Sequence, residues 1–251
     1  MAIASRGLAR SRNQASELIA NGQVSVNGKP AQKPSMPVSE SDQVEITGES
    51  YVARSAGKLA GALTAFGISN FTTCIDAGSS TGGFTQVLLE RGAQKVYAID
   101  VGTEQLADEL ASDPRVVSLE GQDIRQFEPE QHNLDVSDID LLVADLSFIS
   151  LRLVVGSFAK LAPRGDLVVL IKPQFELSKR ELTSQGLVKS KDAKELAVKA
   201  VLSSFEETGF GLLGLIPSEV RGSGGNQEYL LHAKLGAQGK NIESLLARIS
   251  F

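Results

Sequence analysis

Hydrophobic positions in this chain keep two periods. Short apolar runs at residues 74–75, 95–99, 116–119, 139–144 and 167–171 have the length and composition of buried strands. Between them apolar residues recur at helical spacing, as in Phe84, Val87 and Leu88 after the first run. A helix over about 192–207, a strand near 212–216, a last strand at 228–231 and a terminal helix over 242–249 complete the pattern. Strands alternating with helices predict βαβ units. The expected fold class is α/β: a mainly parallel, seven-stranded, doubly wound sheet with helices on both faces and an antiparallel final strand. Just upstream, residues 54–66 read as a helix with Leu59, Leu63 and Phe66 inward and Gly67 at its end. Lys58 falls beside that apolar face, where a surface lysine is unremarkable.

The N-terminal stretch has a different texture. Ser11 and Gln14 have the spacing of a capping box, so a helix is predicted from there to about Ala20, with Ala15, Leu18 and Ile19 on its inner face. Asn21-Gly22 ends it. Val24 and Val26 alternate as a strand, Asn27-Gly28 is a hairpin turn, and Val44 and Ile46 suggest a closing strand. Pro30, Pro34 and Pro37 make the connection between them irregular. The pattern predicts a small α+β unit at residues 1–48, a linker at 49–53 and the α/β domain at 54–251. A unit that small buries little core.

Composition narrows the function. No apolar run is long enough to span a bilayer, and no charged start with an apolar middle marks a secretory signal, so a cytoplasmic protein is the default. The single cysteine, Cys74, lies inside an apolar strand and reads as core, with no disulfide framework. His132 and His232 stand far apart and offer no metal-ligand cluster, so no metal is expected. The net charge of −5 argues against non-specific nucleic-acid binding as the main activity. Yet Arg6, Arg10, Arg12, Lys29 and Lys33 face only one acid, Glu17, within residues 1–34. Such a local patch suits a phosphate backbone; a solvated basic face is the plain alternative.

The candidate ligand site is the stretch TCIDAGSSTGGFT at residues 73–85. A strand ends in Asp76 and passes through a glycine turn into a helix, the usual opening of an α/β ligand site. Glycines let the backbone approach a ligand, and the free N–H groups of a helix start favour negative charge. The dinucleotide fingerprint needs a third glycine where Ser80 stands. A phosphate loop has Gly78, Gly83 and Thr85 in register, but Phe84 replaces its lysine. The turn of S-adenosylmethionine-dependent methyltransferases, D-x-G-x-x-x-G-[GF], fits DAGSSTGG. In that reading Asp76, Gly78, Ser79, Ser80, Thr81, Gly82, Gly83 and Phe84 surround the methionine end of the cofactor. Asp100, at the end of the second strand, suits a grip on ribose hydroxyls. Asp123, after the third strand, could accept from the adenine amino group. Either acid could equally be an ordinary strand-end residue.

Methyl transfer to an alcohol needs a base and close positioning, and no metal. A lysine can be that base if burial or a neighbouring cation favours its neutral form. Lys172, Asp145 and Glu228 fall at strand ends and Lys58 on the helix before the first strand. Any one of them alone reads as well as a structural salt bridge.

Two resemblances combine these parts. SRNQASELIANGQVSVNGKPAQKP is similar to an S4 domain, a small RNA-binding module, which implies RNA contacts at Arg6, Arg10, Arg12 and Lys29. S4 domains usually begin with several more residues; here residues 1–5 alone precede Arg6-Gly7-Leu8, so either the first helix is short or the recorded start is late. Lys58, Asp145, Lys172 and Glu228 stand in the K-D-K-E order of the FtsJ-like ribose 2′-O-methyltransferases. S-x-G-K-L at Lys58, D-x-S-F-I-S-L at Asp145, K-P-Q-F-E at Lys172 and G-N-x-E-Y at Glu228 resemble the TlyA (haemolysin A) family of rRNA cytidine-2′-O-methyltransferases, which also carries an S4 domain. The resemblance implies S-adenosylmethionine as cofactor and ribosomal RNA or ribosomal subunits as partner, and with no spanning segment in the sequence no membrane partner is expected. It implies Lys172 as general base, Asp145 as its orienting partner, and Lys58 to favour the neutral base and hold the ribose. Glu228 would position Lys58 or the hydroxyl, and Phe148 would pack by the cofactor. That family often has Asn where Asp123 stands. Two other readings remain: an RNA-binding or ribosome-assembly factor with an inactive methyltransferase fold, and the membrane-lytic role that the family's haemolysin name suggests. Four intact candidate residues disfavour the first. The lack of a spanning segment or strongly basic amphipathic helix leaves the second without a mechanism.

Overall fold

A computed structural model of the chain describes residues 2–9, 15–16, 18–19, 23–46 and 51–251. It divides into two compact units, Met1–Arg54 and Ser55–Phe251.

In the first unit, α1 (Ala2–Ser5) is a single turn, and Ala15, Ser16, Leu18 and Ile19 are helical. β1 (Val24–Val26), β2 (Lys29–Pro30) and β3 (Val44–Ile46) form a three-stranded sheet in the order β2-β1-β3. Asn27 and Gly28 both take positive φ, 51° and 74°, the backbone that a two-residue hairpin between twisted strands demands. The hairpin strand β2 was not expected, because two residues with a proline carry no alternating pattern. Ile3, Ala15, Leu18, Ile19, Val24 and Val26 share a small core. The start of the predicted helix, with Ser11 and Gln14, lies outside the described residues.

The second unit begins with α2 (Ala56–Phe66), closed by Gly67 in the left-handed conformation. β4 (Thr73–Ala77), α3 (Gly83–Glu90), β5 (Lys95–Asp100), α4 (Asp108–Ala111) and β6 (Val116–Glu120) follow. Next come β7 (Leu141–Ala144), α5 (Val155–Leu161), β8 (Asp166–Ile171) and α6 (Pro173–Glu176). The chain closes with α7 (Lys191–Glu207), β9 (Phe210–Pro217), β10 (Tyr229–Leu235) and α8 (Ile242–Leu246). The seven-stranded sheet has the order β6-β5-β4-β7-β8-β10-β9. Neighbouring strands from β6 to β8 run parallel, and β10 runs antiparallel to both β8 and β9.

β7 is buried at every position, as expected of a central strand covered on both faces. One face packs Ile75, Tyr97, Ile99, Leu142 and Val169 against Phe158 of α5, Val198 and Phe205 of α7, and Leu245 of α8. On α2, half-buried Phe66 lies against the ring of His232, 5.3 Å between centroids, and against Gly214, where any Cβ would come within 2.8 Å of the phenyl. Strand order reverses between β4 and β7, and the crevice outside the carboxyl ends there is the usual ligand site of an open α/β sheet. No helix among the described residues is long and apolar enough to cross a membrane.

Candidate active site

The turn after β4 is built by backbone conformation. Gly78, Ser80 and Gly82 all have positive φ, 84°, 46° and 96°. A Cβ on Gly78 would stand 2.8 Å from the carbonyl oxygen of Asp145, so the turn packs directly on the chain leaving β7. A Cβ on Gly82 would collide with the side chains of Leu110 and Leu106. Ser80 adopts the left-handed conformation as a non-glycine residue, and its N–H donates to Asp100 Oδ2 at 2.8 Å. Asp100 Oδ1 accepts from Gly102 N at 2.7 Å, so this carboxylate ties the glycine turn to the loop after β5. Glu120 steadies that loop further on, accepting from the N–H groups of Glu104, Gln105 and Leu106.

Asp76 is fully buried beneath the turn. Burial pushes its carboxyl up to about 7, against an opposing hydrogen bond from Thr85 Oγ1 at 2.7 Å. Asp76 Oδ1 and Ser79 Oγ are buried without a hydrogen-bond partner. A buried carboxylate oxygen and a hydroxyl, both unpartnered next to a glycine turn, fit a ligand that brings an ammonium group, as the methionine end of S-adenosylmethionine does.

Gly78, Ser80, Asp100, Asp123, Asp145, Ser147 and Phe148 line a cleft of about 1090 Å³. That exceeds the ~300–1,000 Å³ of ordinary small-molecule pockets and leaves room for a second group beside a cofactor. Asp123 faces the cleft, but hydrogen bonds from the Arg125 guanidinium and N–H hold its carboxyl below the usual range. Phe148 is 91% exposed at φ 63°, an uncommon conformation for a bulky residue, with its ring 5.1 Å from that of Phe175. Backbone held in such a region is a feature of functional loops.

Two lysine–carboxylate pairs stand at this end of the sheet. Lys58 Nζ lies 2.6 Å from Glu228 Oε2, with side chains 6% and 2% exposed. Lys58 is therefore buried and paired, and does not take the surface position that its place beside the apolar face of α2 would equally allow. Its partner sits 170 residues away, just before β10, where no local pattern could announce it. Lys172 Nζ, at the end of β8, lies 2.6 Å from Asp145 Oδ1 and donates to Ser147 Oγ at 2.7 Å. Lys58 thus brings its own counter-ion and is not a lone cation beside Lys172.

Sequence reading missed several residues that shape these pairs. Gln174 lines the cleft and donates to Glu228 Oε1 at 3.3 Å. Gly222 has φ −64°, which any residue could adopt, but a Cβ there would stand 2.2 Å from Glu228 Oε1. Glu176, buried, accepts from Leu151 N at 2.7 Å and also from Ser150 Oγ, fastening the chain after β7 to α6. Gln174 and Glu176 lie inside the K-P-Q-F-E word, the signal that could have found them. Thr81, Gly83 and Phe84 lie where expected, at the end of the turn and the start of α3, and Phe84 is buried.

In the N-terminal unit, Lys29 is exposed on β2. Arg6 is tied down by its own unit, donating to the carbonyls of Asp42 at 2.7 Å and Ser39 at 2.6 Å. Arg10 and Arg12 lie outside the described residues.

Residues 51–235 match the family described as FtsJ-like methyltransferase, and residues 1–44 match the S4 domain. The chain is 46% identical over 231 residues to a 16S/23S rRNA (cytidine-2′-O)-methyltransferase TlyA of Mycobacterium tuberculosis, covering 90% of this chain and 85% of that one. It is 36% identical over 233 residues to Hemolysin A of Brachyspira hyodysenteriae, covering 92% and 96%. A solved structure of a hemolysin-named protein from Streptococcus thermophilus superposes with TM-score 0.76 at 34% identity, covering 98% of this chain and 92% of that one. The chain belongs to the TlyA family of FtsJ-like methyltransferases, in which an S4 domain precedes the methyltransferase fold.

Proposed function

We propose that this protein transfers the methyl group of S-adenosylmethionine to the 2′-hydroxyl of cytidine in ribosomal RNA. The observation that carries the reading is the meeting of the Lys172–Asp145 and Lys58–Glu228 pairs with a cofactor-type glycine turn at one end of the sheet. The relative from Mycobacterium tuberculosis is named for this reaction on 16S and 23S rRNA.

Asp76 and the turn from Gly78 to Phe84 would hold the methionine end of the cofactor, with Asp100 at its ribose and Asp123 at its adenine. Bound there, the cofactor supplies an electrophilic methyl group. The remaining work falls to this chain's own side chains. Lys172 takes the proton of the 2′-hydroxyl, so it must first release its own to solvent, because the Asp145 carboxylate at 2.6 Å pairs with the ammonium form. Lys58, fixed by Glu228, supplies positive charge toward the oxygen as its electron density rises. Gln174 and Gly222 keep Glu228 in place for that task. Phe148 packs beside the cofactor.

The N-terminal unit would carry the RNA, with Arg10, Arg12 and Lys29 on its phosphates and ribosomal subunits as the physiological partner. The test is to incubate the protein with labelled S-adenosylmethionine and, separately, small subunits, large subunits and transfer RNA. Label should enter subunit RNA and not transfer RNA. Label in transfer RNA alone would refute the assignment.

A further inference from the structure

Lys172 has two close neighbours of different kinds. Its contact with Asp145 Oδ1 at 2.6 Å is an ion pair outside hydrogen-bond geometry. Its directional hydrogen bond goes to Ser147 Oγ at 2.7 Å. Ser147 stands on the loop after β7 and lines the cleft. The loop is fastened on both sides: Asp145 N donates to Ala77 O at 3.0 Å, and buried Glu176 accepts from Leu151 N at 2.7 Å. The hydroxyl is therefore held at one place relative to β8.

We propose that Ser147 is a positioning residue for Lys172, its hydroxyl fixing the rotation of the amine so that the nitrogen lone pair faces the ribose 2′-hydroxyl. This rests on the reading of Lys172 as the base. A lysine amine turns easily among staggered positions about its last bond. In neutral form it has two N–H bonds and one lone pair. One N–H on Ser147 Oγ and the other toward the Asp145 carboxylate leave the remaining tetrahedral direction to the lone pair. Charge attraction alone would not set that direction, because it depends weakly on angle, whereas a hydrogen bond weakens steeply off axis. As reaction proceeds, the proton of the 2′-hydroxyl passes to Nζ as its third N–H. The oxygen exchanges its O–H bond for an O–CH3 bond, and the electron pair of the broken S–C bond is left on the cofactor sulfur. Without the Ser147 hydroxyl, the amine is free to turn toward Asp145 and presents its lone pair to the substrate less often.

The test is a double-mutant cycle on single-turnover methylation, using the full chain, ribosomal subunits and saturating labelled S-adenosylmethionine. Ser147→Ala should slow the step about 10- to 100-fold, the scale of a misaimed catalytic group. Melting temperature should stay unchanged, since Ser147 is an exposed loop residue, and cofactor affinity should stay unchanged because the hydroxyl is engaged by Lys172. Ser147→Thr keeps the hydroxyl and should recover most of the loss. In a Lys172→Ala background, Ser147→Ala should add nothing further, because the group it aims is gone. Equal losses in both backgrounds would mean that Ser147 touches substrate on its own account, and the proposal falls. It falls also if Ser147→Ala is as fast as the native enzyme. Should the Lys172→Ala rate lie below detection, the Ala and Thr variants decide alone, and a Thr variant as slow as Ala overturns it. Native speed in Lys172→Ala itself would be a separate result: the base reading fails, whatever Ser147 does.

Discussion

Asp76 lies buried beneath the proposed cofactor turn, and one substitution tests both its titration and its proposed role there. Burial raises its carboxyl from an ordinary value near 3.8 to about 7 in the folded protein. The folded state therefore binds the proton more tightly than the unfolded state, the reverse of a salt-bridged carboxylate. Stability should fall as pH rises from about 4 to about 7, then level off once both states are ionised. A shift of about three pH units at ~1.36 kcal/mol each gives a cost of ~4 kcal/mol above pH 7. Asp76→Asn cannot ionise and can still accept the Thr85 hydrogen bond, so it escapes this cost. Between pH 5 and pH 8 its advantage over the native protein should grow by roughly 3 kcal/mol. At about 2–4 °C per kcal/mol for a domain of this size, that is a growth of about 6–12 °C in the melting-temperature difference. The same variant should bind S-adenosylmethionine about 10- to 100-fold more weakly, through loss of a charge-assisted hydrogen bond. Melting curves across pH and a calorimetric titration of cofactor measure both. A melting difference that stays flat from pH 5 to pH 8 would refute the raised carboxyl, and native affinity in the variant would refute its cofactor role.

The other site residues make their own predictions. Gly222→Ala should drive a Cβ into Glu228, costing about 1–3 kcal/mol in thermal unfolding and much of the methylation rate while sparing cofactor affinity; native kinetics would free Gly222 from the site. Lys172→Ala should cut the single-turnover rate by about two to four orders of magnitude. Lys172→Arg should not rescue it, since guanidinium stays protonated in proteins; substantial activity in the arginine variant would leave Lys172 as a mere cation. Replacing Arg10 or Arg12 should lower the log–log salt slope of RNA binding by about one for each phosphate left without its cation, measured by titration over salt. An unchanged slope for both would make them a solvated face.

Much of the fold could be read from periodicity, because a sheet buried on both faces advertises itself as apolar runs. Elements shorter than the reading window could not. α5 carries only Val155, Phe158 and Leu161 on its buried side, and β2 is two residues long with a proline. Boundaries drifted for similar reasons: β7 begins at Leu141 and not 139, and α8 ends at Leu246 and not 249. At the site, residue types and strand ends are visible in the sequence, and the family resemblance couples Lys172 with Asp145 and Lys58 with Glu228; only the fold shows the contacts themselves. Periodicity alone leaves Lys58 as no more than a lysine beside an apolar face, because its helix neighbours say nothing of Glu228 across the fold. Asp123 reads in the sequence as a strand-end acid, and nothing there shows that Arg125, two positions on, folds back onto its carboxylate. Gly222 resembled any turn glycine, and only the approach of Glu228 gives it a reason.

In the proposed reaction the Lys172 and Lys58 pairs direct a methyl group onto a ribose oxygen. The most direct measurement is mass spectrometry of nucleosides from ribosomal RNA treated with the protein and S-adenosylmethionine, then digested completely. The account predicts 2′-O-methylcytidine with the native protein and a loss of about two to four orders of magnitude in its formation rate with Lys172→Ala. A methyl group on the cytosine ring, or 2′-O-methylcytidine formed at equal rate by both proteins, would contradict it.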